Sequence, residues 1–153
     1  MRYSLADYKL SVSIPQSLRT GANSMFSEST IVIGGQGTSV GSIDVETDNP
    51  VWTKSSDASG AVVFEKSYDR SGTVSVSLRQ TSDKVLILKK LFSAMYKAET
   101  NVEGLTMTLT DDKNDEVCTC TDCVIPDIPA QSFGEKSASQ TWKFLVSNID
   151  YNI

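Results

Sequence analysis

The chain has 153 residues and a mass of 16.6 kDa, the size of one folded domain, and 39% of its residues are hydrophobic, too many for a disordered chain. Its 14 basic and 19 acidic residues give a formal charge of −5, which disfavours tight binding to a phosphate backbone. The absence of histidine removes the commonest general base and the commonest metal ligand. We therefore expect one domain over residues 1–153 that is not an enzyme and holds no cofactor or metal ion.

The sequence contains no stretch of about 20 consecutive apolar residues, so no membrane-spanning segment is predicted. The first residues lack the charged-then-apolar layout of a secretory signal. Both observations favour a protein that is made and kept in a cytoplasm.

Alternating apolar residues predict a first strand between Leu5 and Ile14, which Pro15 ends. Residues 16–39 then read as a long irregular arm, rich in Ser, Thr, Gly and Asn and interrupted by the apolar run 31–33. Long excursions in small domains are usually functional, so this arm is a candidate for partner binding and is not expected in the core.

In the rest of the chain, apolar residues recur with two different spacings. Alternation predicts strands over residues 40–47 and 73–80, and turn residues on either side indicate a strand at 61–66, with another beginning at 51–54. After Ser82, a helix N-cap candidate, a period of three and four predicts a helix over residues 83–98. Alternation resumes in a predicted hairpin at 105–124 and in a last strand at 141–149. The expected fold is mainly β, of the α+β class: an antiparallel sandwich or barrel with one flanking helix.

Cys118, Cys120 and Cys123 are the only cysteines in the chain. An odd number so closely spaced is a poor basis for disulfides, so we expect reduced thiols. A structural zinc site needs four ligands, and without histidine it would require Asp122 or another chain. The spacing therefore favours small buried thiols over a metal site.

Short hydroxyl side chains dominate the polar side of several predicted strands, at Ser11, Ser13, Ser75, Ser77, Thr106, Thr108, Thr110, Thr119 and Thr121. Such a face is smooth, hydrated and nearly neutral. It suits an ordinary solvent-facing sheet or the wall of a water-filled lumen, and both interpretations stay open at this point.

Three stretches of the chain resemble the tail tube proteins of contractile-tailed bacteriophages and related phage-tail-like particles. They are YSLADY at 3–8, WTKSSDASG at 52–60 and DRSGTVSVSLRQTS at 69–82, which precedes the predicted helix. The resemblance spans about residues 3–100 and, more loosely, the last strand. It implies a structural virion protein whose subunits join into hexameric rings around a lumen β-barrel. Stacked rings would form the inner tail tube, the conduit for DNA ejection inside a contractile sheath.

The resemblance also implies the partners. They would be further copies of the chain, the tail sheath protein, and the baseplate, tape-measure and tail-terminator proteins, with DNA only as a transient passenger and no membrane. The protein would then be located in the virion tail, after assembly in the host cytoplasm.

Apolar residues in otherwise polar segments favour burial, so those in the arm and in the turn after residue 48 are candidates for contacts between rings: Met25, Phe26, Ile31, Ile33 and Trp52. The lumen of such tubes tends to be acidic, and a neutral or acidic wall avoids binding DNA through counterion release. Candidates for that wall are Asp44, Glu46, Ser75, Ser77 and Arg79, with strand parity leaving two choices of face.

Two other classes of protein fit the same pattern. One is another ring-forming tail component, a tube terminator or a baseplate-proximal tube initiator, which would form a single ring without polymerising. The other is a carbohydrate-binding or adhesin-like β-sandwich, which would need exposed aromatic residues on one face.

Overall fold

A computed structural model describes residues 3–15, 30–35, 40–97, 104–111 and 116–151. These residues form a 3-10 turn at Leu5–Asp7, one α-helix, α1, at Asp83–Lys97, and nine strands. The strands are β1 (Lys9–Ser13), β2 (Thr30–Gly34), β3 (Val40–Thr47), β4 (Trp52–Ser56), β5 (Val62–Lys66), β6 (Gly72–Arg79), β7 (Leu105–Thr110), β8 (Glu116–Val124) and β9 (Ser139–Asp150). The mainly β class with one helix, predicted from the two periods, is confirmed.

Seven strands form one antiparallel sheet in the order β2-β1-β7-β8-β9-β6-β3, and β4 and β5 form a separate ladder. The sheet curls so that its two edge strands approach each other. A Cβ atom on Gly34 in β2 would lie 3.7 Å from Cδ1 of Ile43 in β3. The apolar sides of the strands share one core, whose largest fully buried side chains include Leu10, Ile33, Leu78, Trp142 and Phe144. The fold is therefore barrel-like.

The helix α1 packs on the same core. Val85, Leu88 and Leu91 are buried, and their spacing of three places them on one face of the helix. The backbone N–H of Lys84 donates to Oγ of Ser82 at 3.3 Å, so Ser82 caps the helix as predicted.

The strand β2 falls inside the segment that the sequence predicts as an irregular arm. Its residues pair with β1 in register, with Ile33 opposite Leu10 and Ile31 opposite Val12. The apolar run 31–33 is too short for its pattern to distinguish a strand from a loop, and only pairing with β1 decides between them. The arm prediction is thus corrected for residues 30–34, while residues 16–29 and 36–39 lie outside the described part of the chain.

A β-bulge in β8 turns Cys123 toward the core, so that it lies on the same side as Cys118 and Cys120. Leu105 pairs with Cys123 and Met107 with Cys120, so β8 has one residue more than β7 in this interval. Asp122 takes up the extra residue with a φ of 55°, and a Cβ on Gly104 would lie 2.6 Å from the Asp122 Cα. A spacing of three would otherwise put Cys123 on the opposite face from Cys120.

Gly72, at the start of β6, has room for no side chain. A Cβ atom there would collide with the Glu46 carbonyl oxygen and would lie 2.6 Å from Cδ1 of Ile149. We expect Gly72→Ala to lower the free energy of unfolding by about 1–3 kcal/mol, because backbone in β3 has to move. The matched control is Gly134→Ala, with nothing within 4 Å of its Cβ, which should stay within about 0.5 kcal/mol. Equal urea midpoints for the two variants would contradict this prediction.

Candidate assembly surfaces

The strands β4 and β5 form an exposed ladder, called here the distal hairpin, which continues the β3–β6 pair. The backbone N–H of Asp48 donates to the Ser71 carbonyl at 3.0 Å, and that of Ser67 donates to the Val51 carbonyl at 2.7 Å. The chain therefore runs out through β3 and β4 and returns through β5 and β6. All ten residues of the two strands of the distal hairpin are exposed.

One side of the distal hairpin is aromatic and basic. Because Trp52 pairs with Lys66, Lys54 with Phe64 and Ser56 with Val62, these six residues share one face, called here the aromatic face. Trp52 and Phe64 are 59% and 67% exposed. The Lys66 ammonium lies 5.7 Å from the Trp52 ring centroid. An isolated two-stranded hairpin is marginally stable in water, and an exposed apolar patch on one marks an interaction site.

Side-chain hydrogen bonds hold the base of the distal hairpin. Nδ2 of Asn49 donates to Oδ2 of Asp69 at 2.9 Å, and the Ser71 N–H donates to Oδ1 of Asp69 at 3.0 Å. These bonds, with the Ser71 backbone bond first, hold the pKa of Asp69 below its ordinary value. The network joins the two segments of the chain that lead into and out of the distal hairpin, at the end of β3 and the start of β6.

The tip of the distal hairpin is organised by Asp57. Its Oδ1 accepts hydrogen bonds from the Ser59 N–H at 2.9 Å and the Ala61 N–H at 3.1 Å, and Gly60 adopts a φ of 86°. A glycine fits this left-handed position without strain. The hydrogen bond from the Ser59 hydroxyl is the largest cause that lowers the pKa of Asp57, followed by the backbone bond from Ala61. The hairpin is thus preorganised from base to tip.

The lowered pKa of Asp57 gives the tip a defined pH dependence. Because the pKa of Asp57 is lower in the folded state, its carboxylate stabilises the turn fully at pH values above the unfolded pKa of about 3.9. This stabilisation is lost as the pH falls through the folded-state pKa. We expect the Ser59 and Ala61 amide NMR shifts to titrate with a midpoint below about 3.9. In Asp57→Asn, which keeps an acceptor oxygen but does not ionise, this titration should vanish. A midpoint above about 4 in the unsubstituted chain would contradict the assignment.

The five lumen candidates lie together on one outward face of the β3–β6 pair, called here the β3–β6–β9 face. Asp44 pairs with Ser75, and the alternation brings Glu46, Ser77 and Arg79 to the same side, away from buried Val74, Val76 and Leu78. On the next strand, β9, Lys143 pairs with Ser75 and Thr141 with Ser77. Lys143 and Thr141 therefore join the five candidates on this face, and their alternation with Trp142 and Phe144 is the sequence signal that they point outward. Two acidic and two basic side chains make the face balanced in charge.

The remaining hydroxyl residues line the outer side of another part of the sheet. Ser11 pairs with Thr108, which pairs with Thr119, and Ser13 pairs with Thr106. Their side chains are exposed or half-buried, as expected for the polar side of these strands.

The five candidates for contacts between rings are separated by the fold. Trp52 lies on the distal hairpin, while Ile31 and Ile33 are 3% and 0% exposed in the core of their own subunit. Burial in that core explains why these two residues are apolar, so they are not available for contacts between rings. Met25 and Phe26 lie outside the described residues. The sequence pattern did not single out Phe64 and Val62, which share the aromatic face with Trp52, because the continuous apolar run 62–64 resembles a buried strand.

The three cysteines are free and buried. A hydrogen bond with Cys118, together with burial, raises the pKa of Cys120, and burial raises the pKa of Cys123 to about 12. Protonated buried thiols such as Cys120 and Cys123 are chemically inert and act as small apolar side chains. Within the described ranges, no three or more Cys, Asp or Glu side chains are arranged to hold a metal ion. Over the same ranges, no helix has the length and apolarity that a membrane span requires.

The curled sheet, its exposed distal hairpin and its two edge strands define a structural β-protein with surfaces for association. The chain belongs to the family described as Bacteriophage PhiTE tail tube protein, whose sequence model it matches over residues 21–153. It is therefore a structural tail-tube protein of a bacteriophage and not an enzyme. The resemblance drawn from its three sequence stretches is confirmed.

Two solved structures share this fold at low sequence identity. The tube complex titled "Extracellular Contractile Injection System, PVC sheath-tube complex in extended state" matches with a TM-score of 0.53 and 15% identity, over 97% of this chain and 89% of that one. The "PVC sheath/tube terminator in extended state" matches with a TM-score of 0.54 and 15% identity, over 97% and 95%. No curated protein sequence matches the chain significantly.

Proposed function

We propose that the protein forms stacked hexameric rings that make the inner tube of a contractile tail, through which DNA is ejected. The observation that carries this proposal is the exposed aromatic face of the distal hairpin, on a chain that belongs to a tail tube family. A monomer rarely leaves such a patch open to water, whereas an assembling subunit covers it with a neighbour.

The edges of the sheet provide the contacts within a ring. Among the described residues, β2 and β3 each pair on one side only. Unpaired strand edges invite association, and joining the edges of successive subunits into a closed barrel removes them. Because β2 and β3 are the terminal strands of the sheet, both edges are available to neighbouring subunits.

The distal hairpin provides contacts between rings. It continues the strands β3 and β6, so it extends along the strand direction, whereas neighbours that pair at the sheet edges lie across that direction. Trp52, Val62 and Phe64 supply its apolar area. Met25 and Phe26 of the arm remain predicted contributors to the same contacts.

The β3–β6–β9 face lines the lumen. DNA carries about one negative charge per 1.7 Å of helix axis, and a surface without excess positive charge releases no counterions on contact with it. A wall of serines and threonines, with four charges that balance and one exposed leucine, Leu145, lets DNA pass without binding. The proposed lining is balanced in charge, which also avoids binding DNA through counterion release.

The further partners proposed are the tail sheath, baseplate, tape-measure and terminator proteins, with assembly in the host cytoplasm and a final location in the virion tail.

A second candidate function is that of a tube terminator, favoured by the match to a sheath/tube terminator over 95% of that chain. A terminator would form one ring and stop.

Electron microscopy of the purified chain, with light scattering on the same sample, tests the proposal. We expect hollow tubes or stacked rings with six-fold end views. Single rings at every concentration would favour the terminator, and a monomer in the presence of a baseplate would exclude both.

A further inference from the structure

We propose that the aromatic face of the distal hairpin docks into a groove beside α1 of a neighbouring copy of the chain. The groove, called here the helix groove, lies between the C-terminal half of α1 and the end of β8, has a volume of about 420 Å³, and is lined by Phe92, Met95, Tyr96, Val124, Ile125, Pro126 and Asp127. The inference rests on the proposed function and names the surface that receives the hairpin.

The helix groove is apolar in its centre and acidic at its rim. Phe92 and Tyr96 stack with ring centroids 6.2 Å apart and planes at 25°, and the Tyr96 ring is exposed. Asp127 is the one ionisable acid among the described residues of the lining, and its Oδ1 accepts a hydrogen bond from the Ile128 N–H at 2.8 Å. The stacked rings offer a flat wall against which another aromatic ring can pack.

The aromatic face has the complementary pattern. Phe64 lies in its central pair with Lys54, and Trp52 lies in the neighbouring pair of the same face with Lys66. Inserting the rings into the groove would bring a lysine to its rim, opposite the Asp127 carboxylate. Aromatic anchors in a pocket, with a charged pair at the edge, are the usual composition of a strong contact. A groove of this volume is also within the range that holds a large side chain and its neighbour.

The contact is head-to-tail. The hairpin and the groove are different surfaces of one chain, and the exposure of all ten strand residues of the hairpin shows that it does not fill its own groove. A contact between two different surfaces leaves a free hairpin at one end and a free groove at the other, so it can repeat. Such a contact accounts for polymerisation, whereas a contact between identical surfaces stops at a dimer.

Cross-linking between single-cysteine variants tests the docking directly. Phe64→Cys and Tyr96→Cys are mixed during assembly and oxidised, and dimers that carry one of each are quantified. The native thiols are buried, so the unsubstituted chain provides the background. The control is Val63→Cys with Tyr96→Cys, since Val63 is also exposed but lies on the other face of the hairpin. We expect the 64–96 pair to exceed the 63–96 pair at least about tenfold.

Charge placement gives a second readout. Tyr96→Lys removes a ring from the aromatic wall of the groove and places a positive charge in the lining that receives the lysine-flanked rings, so it should abolish stacking, whereas Leu86→Lys, at an exposed position of α1 outside the groove lining, should retain it. Tubes of unsubstituted protein with no preference for the 64–96 pair, or stacking that survives Tyr96→Lys, would overturn the docking and leave the proposed function standing. Absence of any assembly by the unsubstituted chain, even in the presence of a baseplate, would overturn both.

Discussion

Trp142→Ala is expected to lower the free energy of unfolding by about 3–5 kcal/mol, the largest effect of any single substitution considered for this chain. Trp142 is fully buried in β9, opposite Val76 of β6, and it is the largest of the fully buried side chains among the described residues. Truncation would remove its apolar contacts and leave a cavity that the antiparallel strands cannot close without shifting register. The measurement is urea unfolding of the monomer, followed by circular dichroism.

Trp142→Phe separates the contribution of packing from that of polarity. The Nε1 of Trp142 is buried and has no hydrogen-bond partner among the described residues. Phenylalanine retains most of the ring volume and removes this unpaired donor, so its cost should be less than half that of alanine. Leu145→Ala, three residues along the strand at a site 47% exposed, is the control and should cost about 1 kcal/mol or less. Similar decreases in the free energy of unfolding for Trp142→Ala and Leu145→Ala would contradict the buried packing of the indole.

The double variant Asp44→Lys, Glu46→Lys is expected to form tubes that retain DNA. The two substitutions convert a balanced β3–β6–β9 face into a basic one, with the added lysines on the edge strand β3. Each ring would then offer a dense set of cations to the phosphates, and binding by counterion release would slow DNA release at least about tenfold near 50 mM salt. The retention should weaken steeply toward about 200 mM salt, because the logarithm of the affinity falls linearly with the logarithm of salt concentration.

The matched control for charge reversal is Asp83→Lys, Glu135→Lys. Both residues are exposed acids away from the β3–β6–β9 face, and the double substitution changes the net charge by the same amount. DNA release from particles with control tubes should match that of unsubstituted particles. Slowing of equal size in both variants, or in neither, would show that this face does not line the lumen.

Residue patterning within the chain predicted much of the local structure. The alternation in β6 and β9 indicated which side chains are buried, and the change of period after Ser82 placed α1 within one residue of its observed end. These features depend on the geometry of a strand or a helix alone, so the pattern of apolar residues is sufficient to predict them. The hairpin of β7 and β8 was predicted for the same reason, since its partners are adjacent in sequence.

The sequence by itself therefore determined the mainly β class, the single helix, the inward and outward sides of most strands and, through three short stretches, the family. Only the tertiary structure decided that residues 30–34 pair with β1 and bury Ile31 and Ile33, that the bulge at Asp122 turns Cys123 inward, and that the aromatic face stands free of the core. The physical reason is that alternation specifies which residues share a side, whereas strand order and exposure depend on contacts between distant parts of the chain. Short apolar runs such as 31–33 and 62–64 look alike in sequence. The first has buried residues in the core and the second lies on the exposed distal hairpin, because the fold gives them different neighbours.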